Sequence, residues 1–426
     1  MLEVNYKYVS EELRELTVAR RRDFHGFPEE GWTEYRTSAK VADVLKALGY
    51  EVKTGTEVCD SKSRMGMPSD EILKECENRA LEEGVSPEYL DQMRGGHTGV
   101  IGILRGDKPG KVTALRFDMD ALPIEEKTDR PYCSKHAQVM HACGHDGHTA
   151  AGLAVAQCLA EHKDRIKGEI RIIFQPAEEG CRGAQAVVKK GWLDDVDLFL
   201  SGHIGISCRH IGEIQACAGG FFATTKMNLT FHGETAHAGK VPELGRNALL
   251  AAAVFTENAY AISRSSVGET RINVGKFISG NGRNIIADHA YLELETRGTT
   301  SDANAYMETA VEGIAEGVSR MYQVSYTLET VGSVGSAKSD EALVNQLREC
   351  AVDMKLEAGF RGDAYMGASE DAVAMMQCVQ EHGGQAAYFL FGSELAAEHH
   401  QDRFDFNEQV LGIMTEFYAR AILDSH

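Results

Sequence analysis

The segment His141-Ala-Cys-Gly-His-Asp-Gly-His148 brings one thiol and three imidazoles together. Thiolate and imidazole donors separated by small spacers suit a transition metal such as zinc or manganese. Its glycines allow a tight loop to converge the side chains, and Cys143 and His145 are the first candidates as ligands. The segment Phe174-Gln-Pro-Ala-Glu-Glu-Gly180 sets Glu178 beside Glu179. One carboxylate of such a pair can hold a metal while its neighbour handles a proton. Three further segments carry the same kind of side chain: Ser-Gly-His203, Arg-Phe-Asp118-Met-Asp120, and Glu398-His399-His400-Gln-Asp-Arg-Phe404. A separate set lies in the middle of the chain: His237 in Gly-Glu-Thr-Ala-His-Ala-Gly, Asn284 ending Gly-Asn-Gly-Arg-Asn, and Arg297 ending Tyr-Leu-Glu-Leu-Glu-Thr-Arg. A His in a small-residue loop can donate to a carbonyl oxygen, and an Arg can grip a carboxylate with two parallel bonds. Taken singly, each of these features also fits a polar turn or a solvated surface.

The elements that must position them decide between those readings. Lys111–Phe117, Glu169–Gln175, Asp197–His203 and Gln385–Gly392 read as apolar strands. Helices are expected at Ala150–His162 and Gly183–Lys190, between the first three strands. That alternation predicts a mostly parallel sheet with helices on both faces. Ligands collect at the carboxyl ends of such strands. Four strand ends each deliver Asp, Glu or His, and the Cys/His loop follows one of them. Five unrelated surface features would have to coincide otherwise, so a metal hydrolase site is the reading.

Before the sheet, Ser10 is expected to cap a helix ending near His25, and Thr33 a second helix ending at Gly49. A polar stretch from about Asp60 to Gly95 reads as an insertion with two short helices. Between Thr225 and Val331 the pattern changes to β-α-β-β-α-β, the ferredoxin-like order. The expected architecture is therefore α/β. Residues 1–220 and 333–426 form a catalytic metal-binding domain, and 221–332 an inserted lid or dimerisation domain.

The 426-residue chain is 43% hydrophobic and 25% charged, an ordinary globular composition. Acidic residues outnumber basic ones, 64 to 44, giving a net charge of −20. That disfavours a nucleic-acid partner and leaves any anionic substrate to local cations. No apolar run is long enough to span a membrane, and no secretory signal is visible at the start. The ten Cys are scattered without a CxxC pair. They read as reduced thiols of a cytoplasmic protein.

These motifs, in this order over nearly the whole chain, resemble the M20 metallopeptidase/amidohydrolase family, in its amidohydrolase branch. The resemblance implies metal ligands at Cys143, His145, Glu179, His203 and a C-terminal His, placed on His400 with His399 as the alternative. It implies two divalent ions per chain, Mn2+ or Zn2+, bridged by a water and by Cys143 or Glu side chains. Glu178 matches the general base. His237, Asn284 and Arg297 match lid residues that bind the substrate's carbonyl and carboxylate. In related dimers the His reaches into the partner's active site, so a homodimer, or a heterodimer with a related subunit, is expected. Where the wider family often has His-x-Asp, this chain has Asp118-Met-Asp120. Asp118 is therefore not assigned as a ligand, and Asp120 is expected to orient a ligand imidazole. Ser369-Glu370-Asp371 receives no role. The implied activity is hydrolysis of the amide bond of an N-acyl or N-aroyl amino acid, with p-aminobenzoyl-glutamate first. A general N-acyl-amino-acid deacylase or dipeptidase is the alternative enzyme, and a non-catalytic subunit the alternative of another class.

Overall fold

The computed structural model describes residues 4–356 and 359–424. They divide into two compact units. One holds the chain up to Gly220, Ala337–Met366 and Asp371 onward; the other holds Phe221–Ser336 and Gly367–Glu370.

The first unit begins with α1 (Glu11–Gly26), α2 (Tyr35–Ala47), β1 (Glu51–Thr54), α3 (Asp70–Glu82) and α4 (Pro87–Met93). It continues with β2 (Val100–Arg105), β3 (Lys108–Asp118), α5 (His145–Glu161), β4 (Lys167–Gln175), α6 (Ala184–Val188), β5 (Leu198–Ile204) and β6 (Glu213–Phe221). The second unit contributes β7 (Ala223–His232), α7 (Ala248–Tyr260), β8 (Thr270–Ser279), β9 (His289–Gly298), α8 (Ser301–Tyr322) and β10 (Ser325–Val334). The chain closes with α9 (Glu341–Asp353), β11 (Gly359–Ala368), α10 (Ala372–Glu381), β12 (Gln385–Phe391) and α11 (Gln409–Leu423).

Among the described residues the first sheet has eight strands, in the order β1-β2-β4-β3-β5-β12-β6-β11. The central strands β4, β3, β5 and β12 are parallel neighbours. The pairs β1–β2, β2–β4 and β12–β6 are antiparallel. The sheet is mixed, which corrects the mostly parallel sheet expected from sequence. The reason is the length of the links. β2 passes to β3 through Gly106-Asp107, and β5 passes to β6 through residues 205–212. Links that short cannot carry a parallel crossover, so the chain reverses direction at both places. The alternation of apolar runs with helices marked the central strands alone.

Helix α5 is buried on nearly every side, and its mean composition is apolar rather than amphipathic. It packs against α1, α11 and β3, where Phe24, Leu153, Phe117 and Phe417 share one core. Ser10 caps α1 as expected, accepting from Leu13 N–H. Thr33 does not cap α2: the cap position is Glu34, and the Thr33 hydroxyl donates to Glu30 O instead.

In the second unit the sheet order is β10-β7-β9-β8, and every neighbouring pair is antiparallel. Strict alternation in β9 buries Ala290, Leu292, Leu294 and Thr296 on one face. Leu292 and Leu294 meet Phe231, Phe255 and Val311 in a core shared with α7 and α8.

Candidate metal centre

The parallel strands bring their carboxyl ends to one edge, with Asp118 opposite Gln175 and His203 opposite Leu390. Gly144, at φ 100°, turns the chain sharply into α5. A side chain is disfavoured at that φ, so glycine is required there. The turn leaves Cys143 just before the helix and His145 on its first turn. The helix begins earlier than the apolar pattern indicated, because His145–Thr149 is polar in sequence yet fully buried.

Two groups of potential ligand atoms share Cys143: Cys143 with His145 and His203, and Cys143 with Glu179 and His400, each within 4.8 Å of one another. Glu178 and Glu179 also come within that reach of His145. His203 donates from Nδ1 to Ile204 O at 2.8 Å, and its Nε2 lies 3.4 Å from Cys143 Sγ. Burial, with His148 and His399 nearby, holds His203 well below the usual range for a His, hence neutral. His400 Nε2 lies 3.3 Å from Glu179 Oε1. His399 instead points Nε2 at Ile204 O, 3.2 Å away.

This donor set fits a divalent transition metal. His145 is fully buried, and neither ring nitrogen has a hydrogen-bond partner of good geometry. Burial opposes charge on His145, but Asp118 and Cys143 outweigh it and push the imidazole well above its ordinary range. Burial and Glu179 push the Cys143 thiol well above its own. The local field thus favours positive charge amid sulfur, nitrogen and oxygen donors, the mixture that zinc and manganese take.

Surrounding residues hold these side chains in place. Asp120 accepts from Glu178 N–H at 2.9 Å and from Glu179 N–H at 3.0 Å. One Asp120 oxygen also lies 3.4 Å from His145 Nδ1. The expected role of Asp120 beside a ligand imidazole therefore extends to the Glu-Glu turn. Asp118 accepts from His148 Nδ1 at 2.6 Å and from Arg116 at 2.7 Å. His148 Nε2 in turn accepts from Ile204 N–H. Both nitrogens of His148 are thereby occupied, whereas those of His145 are not. Asp371 accepts from Arg116, Gln175 and the N–H groups of Gly183 and Ala184. It ties the ends of β3 and β4 to the start of α6, a role that its sequence setting did not reveal.

Sequence reasoning missed two more residues. Glu34 is buried, accepts from Ala177 N–H at 2.8 Å, and is pushed up to about 8 by burial and by Asp120. Arg182 donates to Glu179 O at 2.7 Å and to Gly66 O at 3.1 Å, fastening the 60–95 insertion to the Glu-Glu turn. Neither stands in a recognisable motif.

His237, Asn284 and Arg297 lie in the second unit. The loops of His237 and Asn284 adjoin: Ala238 N–H donates to Asn284 O, and His237 bridges to Ile285. They sit next to the start of β9, where Gly233 N–H donates to Asp288 O. Arg297 stands near the other end of that strand, on the order of 25 Å away at about 3.3 Å per residue. Its guanidinium is already paired with Glu295 through bonds of 2.9 and 3.1 Å. The structure joins His237 with Asn284 and keeps Arg297 apart from both.

A mixed sheet, a Cys/His turn at a helix start and paired carboxylates at a strand end are joined by a family match. The model of peptidase family M20/M25/M40 matches residues 114–424, and the chain belongs to that family. It is a hydrolase of that kind. Two similar proteins are each 43% identical to it. One is the indole-3-acetyl-aspartic acid hydrolase of Enterobacter agglomerans, with 98% of this chain and 97% of that protein covered. The other is a p-aminobenzoyl-glutamate hydrolase subunit of Escherichia coli strain K12, with 95% and 94% covered. A crystal structure of an aminobenzoyl-glutamate utilization protein from Klebsiella pneumoniae is 39% identical, with TM-score 0.84 over 97% of both chains. Among the described residues no helix is long and apolar enough to cross a membrane.

Proposed function

We propose that this chain hydrolyses the amide bond between an aromatic acyl group and an acidic amino acid, with p-aminobenzoyl-glutamate as the first substrate. The observation that carries this reading is the buried Glu178 beside two ligand groups that share Cys143. Cys143, His145, Glu179, His203 and His400 would hold two divalent ions, Mn2+ or Zn2+. Such ions supply Lewis acidity, acidifying a water and polarising a carbonyl. Glu178 accepts the proton of the attacking water and passes it to the leaving amine. His237, supported by Asn284, donates to the oxygen that gains charge. Arg297 grips the amino acid's α-carboxylate and sets its register.

His237 and Arg297 stand near opposite ends of β9, so one chain cannot close both on a single small substrate. This supports a dimer in which the second unit joins two chains and each site draws on both. The Escherichia coli relative is named as one subunit of its hydrolase, which admits a related second chain as the partner. The ten Cys include no CxxC pair, and we place the enzyme in the cytoplasm, where thiols stay reduced.

Indole-3-acetyl-aspartate is a second substrate reading, favoured by the equal identity to the relative named for it. The test is turnover by the purified, metal-loaded chain alone, measured on p-aminobenzoyl-glutamate, indole-3-acetyl-aspartate, acetyl-leucine and a dipeptide. The acidic aromatic conjugates should be preferred. Preference for acetyl-leucine or the dipeptide would replace the substrate assignment, and no turnover without an added partner chain would make this chain one half of an enzyme.

A further inference from the structure

A second cluster of metal-ligating side chains lies in the first unit, at the opposite edge of the sheet from Cys143. Asp194, on the turn after α6, meets Cys378 and His382 at the end of α10, with ligand atoms within 4.8 Å of one another. The turn leads into the start of β5 and the end of α10 into the start of β12, where Gln385 N–H donates to Asp197 O. These are the amino ends of the parallel strands, whereas His203 ends β5. We infer that Asp194, Cys378 and His382 form a separate binding site for a zinc-class divalent cation.

The spacing carries the argument. Positions four apart on a helix share a face, and Cys378 Sγ lies 3.8 Å from His382 Nδ1. Cys378 Sγ also lies 3.7 Å from Asp194 Oδ1. In a tetrahedral zinc site with ordinary bond lengths, a sulfur and a nitrogen or oxygen ligand stand about 3.6 Å apart. Two edges of such a site are therefore close to the required length, and the third, between Asp194 and His382, is within 4.8 Å. They line a cavity of about 430 Å³, together with Lys189 and Glu381, so a cation and a water ligand can enter. One thiolate with one imidazole and one carboxylate selects zinc over magnesium or calcium. The net charge of −20 draws cations to the surface in general.

Burial, with Asp194 beside it, pushes the Cys378 thiol up to about 11. Binding exchanges the thiol proton for the cation and releases that proton to solvent. His382 Nδ1 at present donates to Cys378 O at 2.8 Å, so ligation breaks that bond, turns the ring toward the ion and leaves its proton on Nε2. Since α6 and α10 both start at contacts of Asp371, an ion here would fix the far ends of two elements already joined at the near end.

The test uses protein loaded with Mn2+, with alkylation of each Cys followed by peptide mass spectrometry. Micromolar Zn2+ should slow modification of Cys378 by about tenfold or more, a chelator should restore it, and Mg2+ should leave it unchanged. His382→Ala and Asp194→Ala should each weaken the protection. An unchanged Cys378 rate in Zn2+, equal protection by Mg2+, or full protection in both variants would overturn the site. If Cys378 is too slow to alkylate, Co2+ titration decides. The thiolate-to-cobalt absorption band should be smaller in Cys378→Ser than in the parent, and an identical band would overturn the assignment.

Discussion

Replacing Glu178 by Gln tests the division of labour between the paired carboxylates. Its main-chain N–H is held by Asp120 at 2.9 Å, and that bond does not depend on the side chain. The amide matches the carboxylate in shape, so the turn should stay in place. What disappears is the ability to accept a proton. Loss of a positioned base costs roughly 10²–10⁴ in rate, or about 3–5 kcal/mol of transition-state free energy. Glu179→Gln should act differently, because Glu179 is grouped with Cys143 and His400 and stands 3.3 Å from the His400 ring. It should lower bound metal and activity together. Both carboxylates come within reach of His145, so the two variants must be compared on the same footing. The assay is kcat/KM on p-aminobenzoyl-glutamate, with metal content measured by atomic emission on the same samples. Metal lost from Glu178→Gln and kept by Glu179→Gln would show the roles to be reversed. A Glu178→Gln protein that keeps its metal and most of its activity would place the base elsewhere.

Four further outcomes are expected. Cys143 should alkylate slowly in metal-loaded protein and faster after chelation, and equal rates would remove it from the ligand set. His237→Ala should lose activity with metal content intact, and mixing it with Glu178→Gln protein under subunit exchange should restore part of the activity; no recovery despite verified exchange would place the complete site in one chain. Glu34 sits at about 8 in the fold against about 4.3 when unfolded. The native state therefore holds a proton that the unfolded chain has released, and stability should fall as pH rises from about 4.3 to 8, by up to about 1.4 kcal/mol per unit. Melting curves across that range should flatten in Glu34→Gln, and an unchanged slope would assign the dependence to other groups. Glu295→Gln should free Arg297 for a substrate carboxylate and lower KM by up to about fivefold, the scale of a partly exposed ion pair of about 1 kcal/mol; an unchanged or raised KM would make Arg297 a structural residue.

The side chains that gather as the candidate metal centre were legible in sequence because their chemistry is concentrated. Cys143 and His145 stand two residues apart, Glu178 and Glu179 are adjacent, and apolar strands announce the edge to which each belongs. The supports were not legible, because nothing local distinguishes them. Glu34 follows Trp32-Thr33 in an ordinary helix start, and Arg182 follows a turn that could as well be solvated. Their meaning comes from contacts made across more than a hundred positions of chain, Glu34 to Ala177 and Arg182 to Gly66. The same limit explains the sheet. Apolar alternation identifies a buried strand, but the short links set only the direction of β3 and β6, the neighbours come from distant segments such as β4 and β12, and β6 and β11 carry small or polar residues that weaken their signal.

Arg297 shows where a motif and a structure ask different questions. Its type and its place at a strand end mark it as a carboxylate clamp, and the two-bond geometry is there, filled by Glu295. Residues two apart on a strand share a face, so the sequence Glu-Thr-Arg builds that pairing into β9 itself. In the proposed clamp, a substrate carboxylate must displace Glu295 or share the guanidinium with it. Glu295 thereby holds the guanidinium oriented before substrate arrives, and its negative charge opposes a second carboxylate there. On this argument the pair sets specificity as well as affinity. Glu295→Gln should help acidic substrates more than neutral ones, widening the preference as KM falls, and an equal change for both would count against a carboxylate clamp at Arg297.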